Sequence, residues 1–370
     1  MNRSEVRSGN RNRLRLVLLA AFALGLAVTV AACGGSATGG NGGGGSTGGG
    51  ESGKKAKVAY IDGSCTNSWR ITVRAEFEEA AEETPNIESA KYVCAHGELN
   101  QAISAIQSAT VEGYDPIVVF SDFGEAILPA VKAAAAKGVT VVPWLVNIGG
   151  EPGKDYATFV GENYEELGKN TADFMAKEMH DKGNLIAIEG PPGNAYDEEL
   201  NKYIKQRLAQ IAPEIKWLAT TFANWDPAES AQAASALLSK YPSVQGLITD
   251  EASTVPGIIS RWQATGRPLP VIYSNDLNEV MALYKKLKPK NPTLAYGFRS
   301  ARTYGSRVAL EAAMAAWEGK QVKPGEYLVE SPSYNCEEDC AELYDPEMPG
   351  SWVPTSKVPK EKLKPLLEGQ

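Results

Sequence analysis

From Lys54 onward, short apolar runs alternate with amphipathic segments, and this alternation constrains the fold more than any other feature. The runs are KVAYI, SAKYVCA, PIVVF, VTVVPWL and ATFVG, then LIAIEG, IKWLATT, QGLITD, PVIYSND, TLAYGF and EYLVE. They are short, rich in Val and Ile, and apolar throughout, as strands buried on both faces should be. Between them lie helical patterns such as ITVRAEFEEAAEE, LNQAISAIQSATVEG, EAILPAVKAAAAKG and NYEELGKNTADFMAKEM, several of which end at a Gly. Strand–helix alternation predicts parallel sheets with right-handed crossovers. Eleven strands are too many for one small sheet, and a body of about 315 residues exceeds one core. The expected fold is therefore α/β, with two doubly wound parallel-sheet lobes.

In open parallel sheets, ligands sit beyond the carboxyl ends of the strands. Asn67, Trp69 and Arg70 follow the first run, in the stretch DGSCTNSWRI. The fourth run carries Trp144 and leads to Asn147. Later runs are followed by Asn194 and Asp197, by Asn224, Trp225 and Asp226, by Asp250 and Glu251, by Asn275 and Asp276, and by Arg299. Aromatic faces stack on the C–H faces of sugar rings, while Asn, Asp and Arg offer the planar donor and acceptor arrays that vicinal hydroxyls need. Each residue also has a plainer reading. Asn or Asp after a strand often makes a turn or a helix cap, and Trp144 after Pro143 could be core. Bulky or charged residues make poor turns, which favours Trp69, Arg70 and Arg299 as ligand groups.

The first 33 residues belong to targeting. Five arginines precede an apolar stretch at residues 16–32, which ends in V-A-A-C at Cys33. A basic start, an apolar centre and small residues before a cleavage point describe a secretory signal. A membrane anchor is the competing reading, since the run nearly spans a bilayer. V-A-A-C resembles a bacterial lipobox, which implies lipid on Cys33 and a location outside the cytoplasm at the cell membrane. Residues 34–53 contain 12 glycines in 20 positions. Such a stretch reads as a flexible tether with a reach of roughly 25 Å. Residues 1–33 hold five Arg and one Glu, so the remainder carries 32 basic and 44 acidic residues, net −12. That balance argues against nucleic-acid binding.

Four further cysteines remain: Cys65, Cys94, Cys336 and Cys340. The spacing C-x3-C in CEEDC could serve a metal. However, no second pair is near, and His96 and His180 are the only histidines. Disulfides are the expectation for an even number outside the cell. In a doubly wound sheet the first two strands are commonly neighbours. Cys65 lies just past the first and Cys94 at the end of the second, so these two should pair, and Cys336 with Cys340. Neither a metal nor a cofactor is expected.

The order of these features resembles the periplasmic-type sugar-binding proteins of ABC importers, the ribose- and galactofuranose-binding class. NSWR after the first strand is similar to one form of that family's pattern. VEGYDPIVVFSDFGEAILPAVKAAAAKGVTVV, FVGENYEELGKNTADFMAKEM, IEGPPGNA, WDPAESAQAASALLSKYPSVQGLITDEAS and GKQVKPGEYLVE resemble successive family segments over roughly residues 55–330. The resemblance implies lobes of residues 54–161 plus 300–327 and of residues 162–299 plus 328–335, joined by hinge crossovers. Residues 336–370 are left as a C-terminal extension. It implies that Asn67, Trp69 and Arg70 bind ligand from one lobe. Trp225, Asp250 or Glu251, and Asn275 or Asp276 would bind from the other, with Arg299 near a crossover. The chain departs from ribose-type members where Leu145, Val146 and Asn147 replace Asp-Arg. It departs again at Leu200, which replaces an Arg, and at Asp250-Glu251, which replace Asn-Asp.

The reading that follows is a monomeric solute-binding lipoprotein that delivers a small polyhydroxy solute to an importer permease. A sensor serving a membrane signalling partner would carry the same kind of site, and a sugar acid or nucleoside is the alternative solute. An enzyme is disfavoured. The chain has no G-x-S-x-G turn, P-loop, H-E-x-x-H or G-x-G-x-x-G after a strand, and His180 reads as a helix-end partner. A repressor of the same body fold would need a helix-turn-helix head where the signal and tether stand.

Overall fold

The computed structural model describes residues 54–65 and 67–369. The signal, Cys33 and the tether lie outside the described residues. Four parallel strands form the first sheet: β1 (Ala56–Asp62), β2 (Ile87–Cys94), β3 (Ile117–Phe120) and β4 (Val141–Pro143). Their order is β2-β1-β3-β4. The helices α1 (Ser68–Glu83), α2 (Leu99–Val111) and α3 (Leu128–Ala135) connect them. The chain then enters α4 (Tyr164–Glu178), β5 (Lys182–Glu189), α5 (Ala195–Ile211), β6 (Glu214–Phe222), α6 (Pro227–Lys240), β7 (Gly246–Ile248), α7 (Val255–Ala264), β8 (Val271–Asn275), α8 (Asn278–Leu287) and β9 (Ala295–Arg299). Next come α9 (Gly305–Trp317), β10 (Ser333–Asn335), α10 (Cys336–Leu343) and α11 (Lys360–Glu368). The second sheet has the order β10-β9-β8-β7-β5-β6.

Both sheets are covered on two faces, so β3, β8 and β9 are buried at every position. Each sheet has its own core. One is built around Tyr60, Phe77, Val118 and Leu310, the other around Ile186, Leu247, Trp262 and Phe298. Between the sheets the chain crosses three times. It passes from β4 to α4, which packs on α5 and β8. It returns from β9 to α9, which packs on α1, β3 and β4. It leaves again near Leu328, where Val329 N donates to Gly161 O at 2.8 Å. Among the described residues, no helix is long and apolar enough to cross a membrane.

Several expectations need correction. ATFVG and EYLVE are not strands. ATFVG does run beside the edge strand β4, where Ala157 N and Val160 N donate to Val141 O and Pro143 O, but the two segments make only the isolated bridges Trp144–Val160 and Gly161–Leu328 as the chain turns into the crossovers. A tenth strand comes instead from SYN in the tail, and β10 runs antiparallel to β9. A short return segment can pair antiparallel without a crossover helix. The stretch DGSCTNSWRI is loop only as far as Asn67. Asn67 Oδ1 accepts from Arg70 N at 2.9 Å and caps α1, so Trp69 and Arg70 stand in the helix's first turn.

Cys65 and Cys94 are bonded, with Cα atoms 5.9 Å apart. Asp62 pairs with Cys94 in the β1–β2 register, which brings the two thiols to one sheet edge. Cys336 and Cys340 are bonded too, with Cα atoms 4.5 Å apart inside one turn of α10.

Candidate functional site

A cavity of about 200 Å³ opens between the carboxyl ends of the two sheets. The first sheet supplies Asn67, Trp69 and Arg70 after β1, Phe120 and Asp122 at the end of β3, and Leu145 and Val146 after β4. The second supplies Pro191, Asn194 and Tyr196 after β5, Trp225 after β6, Asp250 and Glu251 after β7, and Asn275 at the end of β8. Arg302 reaches in from the crossover between β9 and α9.

Eight of the fifteen residues singled out after the strands therefore share one cavity. Seven do not. Asp226 caps α6, Asn224 bonds Glu229 beside it, and Asp197 lies behind the wall. Trp144 is fully buried behind Trp69, with Nε1 donating to Tyr60 Oη at 2.9 Å. Asn147 is exposed and accepts from Gly149 N at 2.8 Å, which makes it a turn residue. Asp276 is buried at the crossover, where it accepts from Ala301 N and, at 2.9 Å, from Thr355 N. Arg299 is only 1 % exposed and sits behind the wall, 5.8 Å from the Tyr196 ring centroid. Arg302, three residues on, takes the place expected of it.

The charges at the cavity wall are paired within the protein. Arg70 bonds Asp62 and, through Nη2, Asp122 Oδ1 at 2.5 Å, and its guanidinium lies 3.9 Å from the Phe120 ring centroid. Asp62 also accepts from Tyr92 Oη at 2.7 Å. Arg302 Nε stands 2.8 Å from Glu162 Oε1. Its N–H is aimed off that oxygen, so the contact is an ion pair and not a hydrogen bond. Burial pushes the Glu162 carboxyl up, and Arg302 opposes that shift.

Two indoles face the cavity. Trp69 Nε1 donates to Ala301 O at 2.7 Å and its ring stacks on Trp144 at 6.2 Å, so its N–H is already used and only its carbon face is free. Trp225 Nε1 donates to both carboxylate oxygens of Asp250, at 3.0 and 2.8 Å. Its backbone has φ of 56°, a region unfavourable for a bulky side chain. Leu145 and Arg302 share this feature, with φ of 62° and 52°. Strained backbone of this kind persists where the surroundings over-determine it, as at ligand sites.

Gly190 explains how the Trp225 ring fits. A Cβ there would lie 2.3 Å from the indole. Gly190→Ala is therefore expected to displace the ring and weaken ligand binding by about tenfold, as for a disturbed aromatic anchor. Titration calorimetry and tryptophan emission read this, and unchanged values in both would show that the ring is not held by the glycine.

Behind Asp250 lies an acidic group. Asp197 accepts from Gly190 N at 3.2 Å. Burial, and then the neighbouring Asp250 charge, hold the Asp197 carboxyl far above its ordinary range, so it keeps its proton and donates to Asp250. Glu189 is 4 % exposed and accepts from Asn201 Nδ2 at 2.5 Å. Burial pushes Glu189 from 4.5 up to about 7. An acid whose folded pKa is raised holds its proton more tightly in the folded state, so stability falls as pH rises from 4.5 through about 7. Glu189→Gln should remove that loss, so the variant's melting temperature should gain on the wild type between pH 5 and pH 8. An advantage that shrinks with pH would show that Glu189 is not the buried proton holder.

Three residues that line the cavity carry buried polar atoms with no hydrogen-bond partner among the described residues: Tyr196 at Oη, Asn275 at Oδ1, and Arg302 at Nε and Nη1. Buried polar groups are nearly always satisfied, so three such residues around one cavity make it the candidate ligand site. Sequence reasoning missed Phe120, Asp122, Leu145, Val146, Pro191, Tyr196 and Arg302. Tyr196 and Asp122 were within its reach, since both stand a few residues past a strand end.

Comparison with known proteins agrees with this architecture. The chain is 27% identical over 180 residues to a xylitol-binding protein of Mycolicibacterium smegmatis, covering 48% of this chain and 50% of that protein. It is 24% identical over 172 residues to a D-ribose/D-allose-binding protein of Pseudomonas aeruginosa, covering 45% and 52%. The match thus spans about half the length of these curated relatives. Among solved structures, an ABC transporter periplasmic solute-binding protein from Actinobacillus succinogenes with bound D-allose superposes with a TM-score of 0.66 at 18% identity, covering 76% of this chain and 98% of that one. The periplasmic binding protein domain model matches residues 58–321, and the chain belongs to that family.

Proposed function

We propose that the protein is an extracytoplasmic solute-binding lipoprotein that captures one small neutral polyhydroxy solute, a sugar or sugar alcohol, and delivers it to an ABC importer. The observation that carries this reading is that Tyr196, Asn275 and Arg302, each with an unpartnered polar atom, line one cavity together with Trp69 and Trp225. Unpaired donors and acceptors fit hydroxyls, and indole carbon faces fit C–H faces. Arg70 and Arg302 already have carboxylate partners, so an ionised solute would find no uncompensated charge. A volume of about 200 Å³ suits one small polyol rather than an oligosaccharide. The relatives named for xylitol, ribose and allose bind solutes of this class.

In this reading, residues 54–161 with 300–327 form one lobe and residues 162–299 with 328–335 the other. The lobes close about the three crossovers, and the solute favours the closed arrangement only by its extra contacts there. The protein acts by binding alone, as a monomer and without a cofactor. A thermal-shift panel of pentoses, hexoses, polyols, sugar acids and nucleosides tests the solute class. Neutral sugars or polyols should raise the melting temperature most, and a sugar acid or nucleoside at the head of the ranking would contradict the reading. Cys33 supplies the lipid anchor. Cys33→Ala should release the protein from the membrane fraction, and a variant that still pellets there would end the lipid assignment.

A further inference from the structure

The tail beyond the family match holds the two lobes together at a fourth place. After α10 the chain lies along α8. The Asn278 side chain donates to the carbonyls of Asp345 at 2.8 Å and Met348 at 3.1 Å, and it accepts from Asp345 N at 3.1 Å. Thr355 N then donates to Asp276 at 2.9 Å, and Thr355 Oγ1 pairs with Ser300 Oγ at 2.7 Å. All these partners belong to the second sheet's layer or to its exit. The next residue changes sides. Ser356 Oγ and Lys357 N each reach Glu76 Oε1 at 2.7 Å, and Glu76 is a fully buried residue of α1. Beyond it, α11 packs on α1, burying Leu363 and Leu367 against Ala75 and Ile71. Adjacent residues, Thr355 and Ser356, thus bind different lobes.

We propose that residues 345–369 form a strap that fixes the lobe arrangement from the crossover side, because consecutive residues bond to Asp276 and to Glu76. The strap seizes α1, whose first turn carries Trp69 and Arg70. It therefore sets how far these two stand from Trp225 and Asp250 across the cavity. Apolar packing of Leu363 and Leu367 anchors one end, and the Asn278 hydrogen bonds anchor the other. Any opening about the crossovers must stretch the joint at residues 355–356 or peel α11 from α1. The strap accordingly favours the arrangement in which the cavity is complete and lowers the cost of closure for a solute.

This inference rests on the reading that the lobes move about the crossovers, but its test needs no ligand. Nitroxide labels at V111C and E214C, both exposed positions in different lobes, report the interlobe distance in the full chain. Double electron–electron resonance should give a narrow distribution for this labelled protein. With Leu363→Ala and Leu367→Ala added, the distribution should broaden towards longer distances. Asn278→Ala, which frees the other anchor, should act in the same direction and decides the matter if the first variant does not fold. For xylitol or D-ribose as probe, the apparent affinity should fall on the order of fivefold, following the reduced population of the complete cavity. Distributions that coincide with that of the parent in a folded variant would overturn the strap. Failure of the parent to bind any sugar would instead overturn the solute reading and leave the distance result to judge the strap.

Discussion

Arg302→Met is expected to destroy solute binding and to destabilise the fold by roughly 3–5 kcal/mol, the usual cost of stripping one partner from a buried ion pair. Arg302 is 6 % exposed, and its partner Glu162 is 7 % exposed. Without the guanidinium, Glu162 must either stay charged in a dry site or take up a proton. Arg302 is also one of the three cavity-lining residues with unpartnered polar atoms, and it lies 4.6 Å from the Tyr196 ring centroid. Stability and binding are separable by a second variant. Arg302→Met combined with Glu162→Gln removes the stranded charge and should recover most of the stability but none of the affinity. Urea melts and titration calorimetry measure the two quantities. Recovery of affinity in the double variant would show that Arg302 acts only as a counter-charge.

The second large effect concerns the disulfide that braces the start of α1. Closing the loop between Cys65 and Cys94, 29 residues apart, stabilises by about 3.6 kcal/mol in the chain-entropy model. The short Cys336–Cys340 loop gives about 2 kcal/mol by the same relation. Cys65→Ser with Cys94→Ser should therefore lower the melting temperature more than Cys336→Ser with Cys340→Ser. The first pair should also weaken solute binding, because Asn67 and Trp69 follow Cys65 directly. The opposite ranking of the two melting temperatures would refute the loop-length argument.

Apolar periodicity was enough to read the two sheets and their cavity from the chain. The runs that became β3, β4, β7, β8 and β9 are buried at every position, and that burial writes itself as short apolar runs, whereas the outer strands β2 and β6 are only partly covered. ATFVG and EYLVE carry the same signal for another reason. They run along crossovers, ATFVG largely covered and EYLVE burying only Val329, and a short apolar run alone does not distinguish a strand from a connection. The site divides similarly. Trp69, Arg70, Trp225 and Asp250 were legible because bulky or charged residues at strand ends need a reason to be there. Arg299 and Arg302 show the limit. Both follow the same strand, and only the turn of the backbone at Arg302, with φ of 52°, decides which guanidinium enters the cavity. Trp144 shows another. An indole behind an indole has the same sequence signature as one facing solute. The tail was silent because its contacts, to Asn278 and Glu76, depend on where other elements place those partners.

In the proposed complex, Tyr196, Asn275 and Arg302 complete their hydrogen bonds on a neutral polyol held between Trp69 and Trp225. Titration calorimetry on the wild type and on Trp225→Ala, with the sugar or polyol that gives the largest thermal shift, tests it most directly. The wild type should show one site per chain, and the variant should lose affinity by at least about tenfold, the scale of a lost aromatic anchor. Equal affinity in the two proteins, or no heat from any neutral sugar or polyol, would contradict the proposed complex.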